Sequence, residues 1–137
     1  MAIRYEQYLP KNLAEVLKSL GYHEPTHKHW TLEEPQDKEW TLSAHVLSSD
    51  WNDMGDCYIS APTSFETVEW LREEHSLWVD ACPTCDDAWS WGVMGIKDNK
   101  HQLELSEQRY KSFDVCLIYG ISRALEVLKG EKHGLEI

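Results

Sequence analysis

The sequence predicts an α+β fold, an antiparallel sheet of two hairpins with three helices on one face, in the order helix, hairpin, helix, hairpin, helix. Two observations carry this. Three segments repeat apolar residues at helical spacing, near residues 10–21, 63–75 and 107–129. Between them, residues 40–46, 77–82 and 88–93 alternate with period two and are separated by turn-forming residues. A chain of 137 residues with 42% hydrophobic content fits one domain, residues 1–137.

The first helix is "PKNLAEVLKSLG". Pro10 suits a first helical position and Gly21 the position just past the end. Leu13, Val16, Leu17 and Leu20 form one stripe. Residues 22–38 hold two prolines and three histidines without a period, and read as a surface connection. In "EWTLSAHV", Trp40, Leu42, Ala44 and Val46 alternate with polar residues as in a half-buried strand. A turn between about 49 and 55, with Gly55 able to take positive φ, returns the chain into "CYIS" as a second strand. These two segments make the expected first hairpin.

The second helix opens with Thr63 three residues before Glu66, the spacing of a capping box. Phe65, Val68 and Leu71 mark its expected buried stripe. Pairing Ala81 with Trp89, Val79 with Trp91 and Leu77 with Val93 gives the second hairpin one wholly apolar face. Trp78, Asp80 and Cys82 then point the other way, and a slip of one residue would mix the faces. "PTCDD" is left as the loop. "KDNKHQLELS" reads as a turn and a short extended piece. In the last helix, Phe113, Leu117, Ile121, Ala124 and Leu128 step along one face up to a stop at Gly130, and the tail "EKHGLEI" is expected to be loosely held.

Thirteen basic residues against 24 acidic give a net charge of −11. That balance repels phosphate backbones and anionic membranes, so neither direct nucleic-acid binding nor membrane docking is expected. No secretory signal is read at the start, and no run is apolar enough to span a bilayer. The expected location is the cytoplasm, with the four cysteines reduced.

Cys82-Pro83-Thr84-Cys85 is the most conspicuous motif. A redox site wants its first cysteine at a helix N-terminus, whereas here Asp86 and Asp87 follow and then a strand. Zinc wants four ligands, and the spacing supplies two. Cys116 falls in the last helix and reads as core. His23, His27 and His29 are the remaining donors, which makes a composite zinc site, structural or enzymatic, the alternative to an incidental hairpin loop. "DWNDMGD" resembles a calcium loop faintly, because its twelfth position is Ala61. Glu66, Glu69, Glu73 and Glu74 read as a solvated helix face. No phosphate-binding glycine loop and no nucleophile elbow occur, so no catalytic residue and no cofactor are assigned.

Seven tryptophans are many for this length; most are expected in the core or on the sheet, and any spare one is a contact candidate. Trp30, Trp51 and Trp78 fall on connections or on the non-core face, and are the candidates to anchor a partner.

"YLPKNLAEVLKSLGYHEP", "APTSFETVEWLREEHSLWVD" and "ISRALEVLK" resemble a family of small uncharacterised proteins from prophage and mobile regions of gut bacteria. That family shares a helix with a Gly-aromatic-x-Glu-Pro phrase, a "WLrekh" helix, a tryptophan-bearing hairpin and a C-terminal helix. The resemblance covers about two-thirds of the chain as a spacing of core residues, and implies a bacterial or phage cytoplasmic origin. It carries over no activity or site. The Cys82-x-x-Cys85 loop and the histidine-rich connection depart from it.

The expected function is therefore a non-enzymatic accessory protein, derived from a phage or mobile element, that binds another protein or a second copy of itself. A special form is an acidic decoy occupying a nucleic-acid-binding site. The alternative is a small zinc protein or metal-dependent enzyme using Cys82, Cys85 and the nearby histidines.

Overall fold

A computed structural model describes residues 7–34, 36–97 and 100–134. Element order follows the expected α+β pattern of helix, strands, helix, strands, helix. In place of one sheet there are two three-stranded antiparallel sheets, ordered β2-β1-β3 and β4-β5-β6. The chain forms two compact units, Met1–Thr63 and Ser64–Ile137.

In the first unit, α1 spans Lys11–Ser19, with Pro10 one residue earlier than expected, at the cap. The amides of Leu13 and Ala14 donate to the Pro10 carbonyl. Gly21 takes φ +92°. The helix ends there because the Tyr22 amide donates back to the Leu17 carbonyl and the Gly21 amide to that of Lys18, a Schellman closure. Leu13, Ala14 and Leu17 are buried under it.

The surface connection expected over residues 22–38 contains a strand instead. Residues 26–31 form β1 (Thr26–Thr31), the central strand of the first sheet. β2 (Thr41–Ser49) and β3 (Tyr58–Ala61) do not pair as a hairpin, since each pairs with β1 instead. The buried residues of β1 are polar, Thr26 and His29. An apolar alternation rule therefore passes over it. Thr26 resolves its own polarity, its hydroxyl donating to the Lys28 carbonyl at 2.8 Å.

The expected apolar face of β2 is also corrected. Its register against β1 runs from Thr31↔Thr41 to Lys28↔Ala44, then jumps to Thr26↔Ser49. Residues 45–48 stand against His27 alone, so β2 holds three residues more than a regular ladder there, a bulge. Val46 is 89% exposed there. A 3-10 turn at Trp51–Asp53 follows, built around Asn52. Its side-chain amide donates to the Tyr22 carbonyl at 2.7 Å, and its oxygen accepts the Ser60 amide at 2.8 Å. "DWNDMGD" is thus a staple between α1 and β3, with Gly55 at φ +110° as expected of the turn.

In the second unit, α2 spans Ser64–His75. It buries Ser64, Thr67, Trp70 and Leu71, whereas the expected Phe65 is exposed and lies against Phe113 with ring centroids 6.3 Å apart. β4 (Leu77–Pro83) and β5 (Trp89–Lys97) form the expected hairpin, shifted by two residues: Ala81 faces Trp91 and Val79 faces Val93. A shift of two preserves the faces. β6 (Lys100–Leu105) joins β5 as a third strand where only a short extended piece was expected. The turn expected between them falls on residues 98–99, which lie outside the described residues.

α3 spans Phe113–Gly134, six residues later at its start than expected and running through Gly130. Val115 donates its amide to the Ser112 hydroxyl and Cys116 to the Ser112 carbonyl. Ser112 therefore starts the helix. Residues 135–137 of the tail lie outside the described residues. Cys116, Leu117, Ile121, Ala124, Leu125 and Leu128 are buried. Gly120 lets α3 approach the sheet: a Cβ there would stand 3.0 Å from the Trp91 Cβ and 3.0 Å from the Val79 Cγ1. α3 thus covers the face that carries Val79 and Trp91.

Candidate functional site

Strand alternation sends Trp78, Asp80 and Cys82 to the opposite face of the second sheet, as expected. The ladder aligns them across three strands. One row is Trp78–Met94–Leu103 and the next is Asp80–Gly92–Leu105. Trp78 is 36% exposed, Leu103 63% and Leu105 61%. Single exposed leucines are ordinary, but a contiguous set of large apolar groups on one sheet face is not. Together with Val68 and Arg72 of α2 they line a groove of about 420 Å³, within the roughly 300–1,000 Å³ span of ligand-binding clefts.

Two charged groups line it. Arg72 lies 3.8 Å from Glu73. Asp80 accepts the Ala81 amide at 2.9 Å on one oxygen, and the Cys82 thiol reaches its other oxygen at 3.8 Å. Among the described side chains Asp80 has no cationic partner.

Cys82 is a free thiol, as are Cys57, Cys85 and Cys116. Burial, then the Asp80 charge and hydrogen bond, push the Cys82 thiol pKa up. A thiol held protonated is a poor nucleophile. Cys85 stands apart in the hairpin loop, which is closed by its own bonds. The Thr84 amide donates to the Ala88 carbonyl, the Ala88 amide to the Thr84 hydroxyl, and that hydroxyl to Asp86. Asp87 takes the left-handed conformation at φ +60°, which aspartate tolerates. The Thr84 hydroxyl, and with it the Arg109 guanidinium paired to Asp86, hold the Asp86 carboxyl below its ordinary range. The Cys-x-x-Cys is thus divided between a strand and a turn with its own structural reasons.

The remaining sequence candidates lie in the first unit. Trp51 is corrected from exposed to buried at 9% exposure. Its indole N–H donates to the Thr26 carbonyl at 3.0 Å, and its ring stacks on His29 at 3.8 Å. A residue sealed on its ring face and its N–H is core, not an anchor. Trp30 is half-buried, its N–H given to the Leu9 carbonyl at 3.1 Å. His23 is exposed and meets Asp50 at 3.0 Å, His27 is exposed, and His29 is buried. Among the described residues no three of His, Cys, Asp or Glu come together as a metal site. No described helix is long and apolar enough to cross a membrane.

Of the three tryptophans, Trp78 alone is exposed. The residues that complete its face, Met94, Leu103 and Leu105, escape sequence reading. Their signal is the alternation in "HQLELS", which becomes informative only once that piece is a third strand. No family model, curated protein or solved structure matches the chain.

Proposed function

We propose that this is a non-enzymatic accessory protein that binds another protein through the outer face of its second sheet. The observation that carries the reading is the cross-strand row Trp78–Met94–Leu103, extended by Leu105, on the face opposite α3. A tryptophan set among aliphatic groups in a groove is the composition of an interface centre. Exposed leucines cost solubility, and burying them against a partner recovers about 25 cal/mol per Å² of apolar surface.

The net charge of −11 favours a cationic partner and disfavours nucleic acid and anionic membrane. The prophage-family resemblance supports a phage or mobile-element origin and a cytoplasmic site of action in a bacterial host. Affinity capture from bacterial lysate tests the reading, with wild type and Leu103→Asp compared side by side. The expected result is a protein retained in stoichiometric amount by wild type and lost from the variant, with the unfolding midpoint unchanged. Retention of the same protein by both, or of none by wild type, overturns it.

A further inference from the structure

We infer that the groove receives a lysine or arginine side chain of a partner segment, its cation on Asp80 and its methylene stem over Gly92. This rests on the reading of the outer face as protein-binding and names the chemistry of what binds. The row Asp80–Gly92–Leu105 places a carboxylate, an absent side chain and a leucine in line across the sheet. With strands about 4.8 Å apart, the carboxylate and the leucine belong to positions about 10 Å apart.

The gap at Gly92 is lopsided. A Cβ built there would have its three nearest neighbours all on β6, with Leu105 Cδ2 at 3.4 Å and Leu103 Cδ1 at 3.9 Å. No atom of β4, where Asp80 and Trp78 stand, comes nearer than the third of these, at 4.0 Å. An apolar stem with a charged end fits that combination, because lysine and arginine bury their methylenes while the head stays with a counter-ion. Trp78, two residues from Asp80 on the same face, offers its ring to the same cation.

Charge complementarity selects the occupant. Asp80 is exposed at the edge of an otherwise apolar groove and forms no ion pair among the described side chains, while the groove's other charged group, Arg72, lies 3.8 Å from Glu73. The chain as a whole carries −11. A second copy fits poorly, since it would bring the same charge and the same uncompensated Asp80.

The test is a titration of the full-length chain followed by amide and indole NMR. One probe is a short synthetic peptide alternating leucine with lysine, and the other is the same peptide with every lysine acetylated. The lysine peptide is expected to shift Trp78, Asp80 and Gly92, and to bind about tenfold more tightly than its acetylated form, a difference of about 1.4 kcal/mol. Asp80→Asn, which keeps an oxygen for the Ala81 amide, is expected to abolish that preference with the folded spectrum retained.

Equal binding of the two peptides at this face overturns cation recognition while leaving the protein-binding reading in place. Binding of neither overturns the inference. A preference that survives Asp80→Asn places the cation elsewhere and also overturns it. Blocked lysine alone binding as tightly as the peptide would make the occupant a free amine. Self-association of the chain that covers Trp78, seen by sedimentation, would make it a second copy. Either result contradicts a partner segment.

Discussion

Asn52 holds together three parts of the first unit through one side chain. Its amide and carbonyl groups satisfy the Tyr22 carbonyl and the Ser60 amide, all in buried surroundings. Replacing it with alanine removes both partners at once and leaves two backbone groups dry. The expected destabilisation is about 2 kcal/mol or more, read from urea unfolding. His29 is the other decisive residue of that unit. Burial, and then the charge of His45, hold its imidazole pKa below the ordinary range. Folding therefore favours the neutral ring, and the unfolded chain binds the proton more readily. The stability tied to His29 is present above the ordinary imidazole pKa and is lost as pH falls from there through the lowered value of the folded state. Unfolding midpoints measured across that range should drop toward acid. His29→Phe, which keeps a ring on Trp51 and removes the titration, should flatten the dependence.

At the scale of elements, the β4–β5 hairpin and α3 define which face is free. α3 can lie against the sheet because Gly120 has no side chain where Trp91 and Val79 pack. Gly120→Ala is expected to cost about 1–3 kcal/mol by overpacking, despite the better helix propensity of alanine, and calorimetry would show it. The loop at the other end of the hairpin behaves differently. Cys82 and Cys85 are exposed free thiols, and the turn is closed by Thr84, Ala88 and Asp86. Replacing both cysteines by serine should shift stability by less than about 0.5 kcal/mol. A chelator should leave the thermal midpoint unchanged. A large drop in either experiment would restore a metal to the account.

Across the whole molecule, the sequence made some levels legible and hid others. Helix α1 and the face of β4 were readable because their burial follows an apolar period: Leu13 and Leu17 on the helix, Leu77, Val79 and Ala81 on the strand. The hairpin register was missed by two residues because a shift of two changes no face, so the hydrophobic pattern cannot distinguish the alternatives. β1 stayed hidden because it buries Thr26 and His29, polar residues that apolar alternation passes over, the one satisfied by Lys28 two residues on and the other stacked on Trp51 far along the chain. Trp51 was misplaced because its ring and N–H are claimed by β1. The candidate site was half legible. Trp78 and Asp80 came from alternation in one strand, whereas Leu103 and Leu105 required knowing that β6 pairs beside β5.

The proposed function requires Trp78 to stand on a partner-facing surface while Trp91, on the other face of the same sheet, packs under α3. Comparing Trp78→Ala with Trp91→Ala, for both unfolding midpoint and retention of the captured partner, tests it most directly. Trp91→Ala is expected to lower the midpoint by an amount equivalent to about 3 kcal/mol, the low end for a large aromatic because Trp91 is half-buried. Trp78→Ala is expected to keep the midpoint and weaken the association by about 2 kcal/mol or more. A Trp78→Ala variant that unfolds as readily as Trp91→Ala, or that binds the partner as tightly as wild type, would contradict it.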